Sequence, residues 1–299
     1  MNSRQFRALA SPYVVSDGRR FRLKDFDPHG PGGAASQGAK KFLKKSVEAL
    51  SVLQEKLYAQ DRWGVLLIFQ AMDAAGKDSA IKHVMSGIDP KGCQVYSFKS
   101  PSTEELDHDF MWRTSKCLPE RGRIGIFNRS YYEETLVVRV HPEYLAHQKL
   151  PSELITKRIW RERFQDINAF ERYLTRNGFV IRKFFLNVSR AEQRRRFLER
   201  LERPEKNWKF SMGDLAERER WRAYMAAYEE TIRNTATPHA PWVVIPADDK
   251  KFARTVVAAA VIDALRGLKL EFPSLDLEQK RDLVRARRAL QGPSSRTKS

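Results

Sequence analysis

Residues 71–79 read Ala-Met-Asp-Ala-Ala-Gly-Lys-Asp-Ser, a run of small residues closing on Gly76-Lys77. Such a run can curl its backbone N–H groups around phosphate oxygens, while the following helix adds its positive end and the lysine reaches the phosphate to be transferred. In this reading Ala74, Ala75, Gly76, Asp78 and Ser79 cradle phosphate and Lys77 supplies the charge. The run departs from G-x-x-x-x-G-K-[ST] at two places: Ala71 replaces the first glycine, and Asp78 replaces the hydroxyl residue that ordinarily holds magnesium. Asp73 lies inside the loop, where its carboxylate would repel phosphate unless a cation bridged the two, and Mg²⁺ is the natural bridge. Two plainer readings stand beside this one: a strand-to-helix turn that contains Gly-Lys, and an Asp73 that shapes the turn or caps the helix.

A second constellation follows at 124–134, IGIFNRSYYEE. If 124–128 is a parallel strand, its carboxyl end opens onto the crevice where such sheets bind ligands. Asn128 then stands where an acid usually holds the metal, and Arg129 aims a guanidinium at charge developing on a transferred phosphate. An ordinary Asn-Arg-Ser turn followed by a solvated helix start is the alternative. A third element is basic: Arg196, Arg200 and Arg203 share one face of a helix at i, i+4, i+7 spacing. The segment 190–222 holds 11 basic and 7 acidic residues, so a lid over phosphates and a solvated helix with compensating pairs both fit.

The elements that must position these residues are legible in the apolar pattern. Short apolar runs at 64–70 (GVLLIFQ), 94–98 (QVYSF), 123–128 (RIGIFN), 179–188 (FVIRKFFLNV) and 242–245 (WVVI) read as strands separated by helical stretches. Strands alternating with helices predict an α/β fold with a largely parallel sheet of five strands. Helical spacing marks 40–59, 77–85 and 252–268, and Pro204 splits the basic stretch into two helical pieces. Residues 1–38 are rich in Pro, Gly and Ser and read as an irregular arm; 39–289 read as the folded domain, with its basic helices at about 190–222; 290–299 read as a disordered tail.

Three blocks in this order resemble the polyphosphate kinase 2 family: DAAGKDS (73–79), FNRSYYEE (127–134) followed by VVRVHPE, and QRRRFLERLERPEKNWKFS (193–211). The likeness extends over about 38–268. It implies a three-layer P-loop kinase fold with a helical lid, and Mg²⁺-dependent phosphoryl transfer from inorganic polyphosphate to a nucleotide. It also implies a homo-oligomer, dimer or tetramer. Carried over residue by residue, Asp73 resembles the metal-binding loop acid, Lys77 the phosphate-binding lysine and Arg129 the transition-state arginine; Arg195 and Arg196 resemble lid residues that hold phosphates. Much of the family has Asp where this chain has Asn128, so one metal ligand is missing or replaced by an amide oxygen. FNRSYYEE is similar to the class III subgroup, which uses both AMP and ADP, and Glu133 would orient a metal-bound water or nucleotide phosphate there.

Composition bounds the alternatives. With 41% hydrophobic residues in 299, wholesale disorder is excluded and a sizeable core is available. The formal charge of +18 suits a polyanionic partner, yet residues 1–60 and 280–299 each carry +6, so much of it belongs to the ends. The two cysteines make neither a disulfide framework nor a zinc motif. No apolar run reaches the roughly 18 residues of a membrane helix, and MNSRQFRALA lacks a signal-peptide core, so a cytoplasmic protein without a membrane partner is expected. No nucleic-acid recognition motif is present, and specific nucleic-acid binding is not expected. The competing functions are an ATP-dependent nucleotide kinase on the same fold and a catalytically inactive polyanion-binding protein.

Overall fold

The computed structural model describes residues 3–31 and 39–291. In chain order the strands are β1 (Val14–Val15), β2 (Gly64–Gln70), β3 (Cys93–Ser97), β4 (Ile124–Asn128), β5 (Phe179–Asn187) and β6 (Trp242–Pro246). The helices that frame them are α1 (Ser3–Ala10), α2 (Ala39–Gln60), α3 (Lys77–Met85), α4 (Glu133–Val140), α5 (Ile159–Arg176), α6 (Arg190–Glu202), α7 (Met212–Glu219), α8 (Trp221–Thr235), α9 (Lys250–Gly267) and α10 (Leu277–Gln291).

The strands form one sheet of order β1-β6-β5-β2-β4-β3. The five expected strands are parallel to one another, and each falls within a residue or so of its predicted bounds. A sixth, β1, pairs antiparallel with β6 through Val14↔Val243 and Val15↔Trp242. Two residues are too few to show an alternating pattern, which is why β1 is invisible in the sequence. All seven residues of β2 are buried, as a central strand covered on both faces requires. Helices α1, α2, α3 and α9 pack on one another at one face, and α4, α5 and α8 at the other, giving the three layers. Helix α9 buries twelve side chains, Val256 to Val261 among them, because it lies between the sheet and α1, α2 and α3.

The irregular arm expected at 1–38 is, over its described part, an ordered layer. Phe6, Ala10 and Phe21 are buried, and Phe6 meets Phe42 edge to face with ring centroids 5.2 Å apart. Apolar anchors separated by Pro and Gly lack a period, yet each fills a site on a surface that the domain supplies. Residues 32–38 of that arm lie outside the described residues, as do 292–299 of the expected tail; Leu290 and Gln291 close α10. Pro204 interrupts the basic helices as expected, opening a short helix (Pro204–Asn207) between α6 and α7.

Candidate active site

β2 delivers the chain into the small-residue loop, and α3 leaves it. Two positions in the turn are left-handed: Ala74 at φ +60° and Gly76 at φ +105°, the latter where a side chain is strained. The first turn of α3 leaves the N–H groups of Lys77, Asp78 and Ser79 without helical acceptors, a ready anion site. Lys77 Nζ donates to the Ala71 carbonyl at 2.8 Å across the loop. Burial pulls the Lys77 ammonium below the ordinary lysine range, and the Asp73 carboxylate works against that shift.

β4 lies beside β2, with Asn128 opposite Phe69, so the two carboxyl ends open into one crevice. Arg129 takes a left-handed turn at φ +64° as the strand ends, its N–H donating to the Phe69 carbonyl at 3.0 Å. That turn aims the guanidinium at the loop, where Nη2 donates to Asp73 Oδ1 at 3.2 Å and Nη1 lies 3.9 Å from Glu133 Oε2. The Glu133 carboxylate is the main reason that Arg129 is held above its usual value. Burial raises the Glu133 carboxyl against the pull of Arg129 and Lys77. Asn128 Nδ2 donates to Asp78 Oδ1 at 2.8 Å, leaving the amide oxygen free of that bond. Ser79 Oγ accepts from Arg254 Nη2 at 2.5 Å.

Beneath Arg129 the chain is fixed by a buried network. Lys183, fully buried on β5, donates to Glu171 Oε2 at 2.6 Å, to the Tyr132 hydroxyl at 3.0 Å and to the Thr235 carbonyl at 2.8 Å. Glu171 Oε1 accepts from both Tyr131 (3.0 Å) and Tyr132 (2.8 Å). All three ammonium donors are used, which makes an ion pair tolerable in the core. The tyrosines of FNRSYYEE are therefore anchors that hold the preceding Arg129 turn.

The arginines of the basic helix take different parts from those expected. Arg196 is buried, and its five N–H donors are all spent on protein acceptors. Nε goes to Glu192 Oε1 (2.7 Å), Nη1 to the carbonyls of Ala74 (3.0 Å) and Ala75 (2.7 Å), and Nη2 to those of Ala247 (2.6 Å) and Asp248 (3.1 Å). Arg196 is thus a brace on the loop rather than a free phosphate ligand. A trans peptide that turns its carbonyl toward Arg196 turns the next N–H away from it, so the brace fixes which way the loop N–H groups face. Arg195 lies outside the cleft, exposed and bidentate on Glu192 at 2.6 and 2.7 Å. Arg200 does line the cleft, held by Asp214 Oδ2 at 3.0 Å and the Lys209 carbonyl at 3.1 Å.

Two clefts meet here. The first, of about 510 Å³, runs over the loop and is walled by Arg200, Lys206, Lys209 and Lys250. The second, of about 350 Å³, lies on the other side of Arg129, between the residues after β3 and α4, and mixes Phe110, Val137 and Tyr144 with Glu134 and Gln148. Of their lysines and arginines, the sequence reading missed Lys99, Arg113, Lys206, Lys209 and Lys250. Lys206 and Lys209 do sit inside the KNWKF block, whereas Lys99 and Lys250 carry no local signal because the fold alone brings them to the loop. Gln193, fully buried, was also missed: its Nε2 donates to the Asp73 carbonyl at 3.0 Å and its Oε1 accepts from Arg218 at 2.7 Å.

A small-residue loop after the central strand, an arginine just past the carboxyl end of its neighbour and basic helices beside both are the arrangement of a P-loop-kinase-like fold. A profile of the polyphosphate kinase 2 (PPK2) family matches residues 34–273, and the chain belongs to that family. It is 52% identical over 250 residues to an ADP-polyphosphate phosphotransferase of Rhodopseudomonas palustris, covering 83% of this chain and 86% of that one. It is 41% identical over 279 residues to an AMP/ADP-polyphosphate phosphotransferase of Meiothermus ruber, covering 91% and 98%. The crystal structure of polyphosphate kinase 2 from Arthrobacter aurescens superposes with a TM-score of 0.84 at 40% identity, covering 93% of this chain and 96% of that one.

Proposed function

We propose that this protein transfers a phosphoryl group from inorganic polyphosphate to AMP and ADP, forming ADP and ATP. The observation that carries the reading is the meeting of the two clefts at Arg129. The first cleft suits a polyanion: loop N–H groups, Lys77 and the flap cations can hold successive phosphates. The second mixes apolar walls with polar groups and suits a nucleoside whose phosphate points toward Arg129. An ATP-dependent nucleotide kinase would seat a nucleoside on the loop side, where walls carrying Arg200, Lys206, Lys209 and Lys250 favour a bare phosphate chain instead.

Catalysis in this reading is positioning and electrostatics. The Arg196 brace presets the loop N–H groups, Lys77 exchanges its Ala71 carbonyl for a phosphate oxygen, and Arg129 meets charge on the phosphoryl group in transit. The basic flap keeps water from the donor chain, so that nucleotide is favoured over hydrolysis. A divalent cation fits the oxygen donors present. Among the described residues no three or more His, Cys, Asp or Glu side chains form a metal-holding group, and Mg²⁺ is commonly held by one or two carboxylates plus substrate phosphates. Asp73, with Asp78 and the free Asn128 amide oxygen at hand, would hold it, and it would neutralise phosphate charge there. No helix among the described residues is long and apolar enough to cross a membrane. The reading keeps a cytoplasmic homo-oligomer, dimer or tetramer, as its setting.

The test is luminescent detection of ATP after mixing the protein with ADP, Mg²⁺ and long-chain polyphosphate, repeated with AMP. ATP in both mixtures is expected, and Lys77→Ala should abolish it in a folded protein. Formation of product only when ATP replaces polyphosphate as donor would reassign the enzyme as an ordinary nucleotide kinase. An active Lys77→Ala protein would remove the loop from the mechanism.

A further inference from the structure

Among the described residues the two clefts share only two lining residues, Arg129 and Lys99. Their charges are differently committed. Arg129 is compensated by Asp73 at 3.2 Å and Glu133 at 3.9 Å. The Lys99 ammonium has no hydrogen-bond or ion-pair partner among the described residues, and it is an exposed cation at the junction.

Its backbone, by contrast, is fixed. The Lys99 carbonyl accepts from Arg113 Nη1 at 2.8 Å, and the preceding Phe98 is buried, packing edge to face on Phe127 at 5.0 Å. The Phe98 N–H donates to the Asn128 carbonyl at 3.0 Å, which ties this segment to the strand end that carries Arg129. A lysine on a rigid anchor with an uncommitted ammonium is suited to a ligand's charge, and both clefts open onto it. The other lysines are placed elsewhere, since Lys206, Lys209 and Lys250 line only the loop-side cleft and Lys77 reaches across the loop to Ala71, while Arg113, Arg196 and Arg200 are bonded to protein acceptors.

We propose that Lys99 is a second catalytic cation, its ammonium contacting a non-bridging oxygen of the phosphoryl group as it passes from polyphosphate to nucleotide. The proposal rests on the function proposed above. An acceptor phosphate oxygen attacks the terminal phosphorus of the chain, a P–O bond to the nucleotide forms, and the P–O bond to the shortened chain breaks. The shortened chain leaves with the electron pair, and no proton need move. In a loose transition state, charge spreads over the three equatorial oxygens of the moving group. Two cations reaching it from neighbouring strand ends can stabilise that charge, and Arg129, already shared with two carboxylates, leaves part of the task to Lys99.

The experiment measures kcat and both KM values with polyphosphate and ADP for wild type, Lys99→Met and Lys99→Arg, with the unliganded melting temperature as a folding control. Because the side chain is exposed, both variants should melt with wild type. Lys99→Met should lower kcat by about 10²-fold, the cost of removing one charge-stabilising donor, with both KM values within about twofold, and Lys99→Arg should restore most of the rate. An unchanged kcat overturns the proposal. A loss confined to the polyphosphate KM would make Lys99 a holder of the donor chain, one confined to the ADP KM an acceptor anchor, and either outcome also overturns it. If wild type itself makes no ATP from polyphosphate, the function falls and Lys99's role with it; an active wild type beside an equally active Lys99→Met removes only the latter.

Discussion

Arg129 reaches back from the end of β4 to Asp73 in the loop after β2, Nη2 to Oδ1 at 3.2 Å, although 56 residues separate them. In the proposed reaction the bond joins the residue that would meet transition-state charge to the one that would hold the cation. It also accounts for a left-handed Arg129 at φ +64°, a backbone state that costs of order 1–3 kcal/mol and recurs at functional sites.

Arg129→Lys should therefore keep the charge and lose the geometry. A lysine cannot span Asp73 and Glu133 with a planar fork. Steady-state assays should show kcat lowered by roughly 10²–10³-fold, with the polyphosphate KM changed far less. A wild-type kcat in Arg129→Lys would mean that a point charge suffices at this position.

The sheet, the loop and the Arg129 turn were legible in the sequence because each is a local signal: an apolar run, a small-residue turn, a strand end. What stayed hidden depends on contacts across the chain. Arg196 looks like any basic helix residue until Ala74, Ala75, Ala247 and Asp248 turn their carbonyls to it. Lys183 breaks the apolar pattern of its strand, and only Glu171, Tyr132 and Thr235 explain it. Lys99 follows a strand with nothing in its neighbourhood to mark it, and Val14–Val15 is too short to carry a period.

Lys183→Met should be among the more damaging core substitutions. It leaves the Glu171 carboxylate buried without its cation, a loss of about 3–5 kcal/mol. Lys183→Met combined with Glu171→Gln should recover part of that, since the amide is neutral and its oxygen can still accept from Tyr131 and Tyr132. Urea titration of the three proteins measures this. A double variant no more stable than the single one would mean that packing, rather than the stranded charge, sets the cost.

Glu133 gives a pH signature. Burial raises its carboxyl above the ordinary range, so the folded state favours the protonated form. That contribution to stability is fully present below the unfolded-state value and is lost as pH rises through the folded-state value. Glu133→Gln imitates the protonated form and does not titrate. Its melting temperature minus that of wild type should therefore grow as pH is raised from acid toward neutral and then level off. A difference that shrinks over this window would show that Arg129 and Lys77 outweigh burial, and that the carboxylate is the favoured form.

Arg196 separates a brace from a ligand. A phosphate ligand replaced by lysine keeps its charge, and the unliganded protein should melt as before. A brace replaced by lysine loses most of five hydrogen bonds, because an ammonium has three donors and cannot reach Ala74, Ala75, Ala247 and Asp248 together. Buried carbonyls left without a partner cost about 1–3 kcal/mol each, less whatever water replaces. Arg196→Lys should thus lower the unliganded melting temperature by several degrees, with a lower kcat as the loop N–H groups lose their fixed direction. Unchanged stability with a raised polyphosphate KM would return Arg196 to the ligand role that its place in the basic helix suggests.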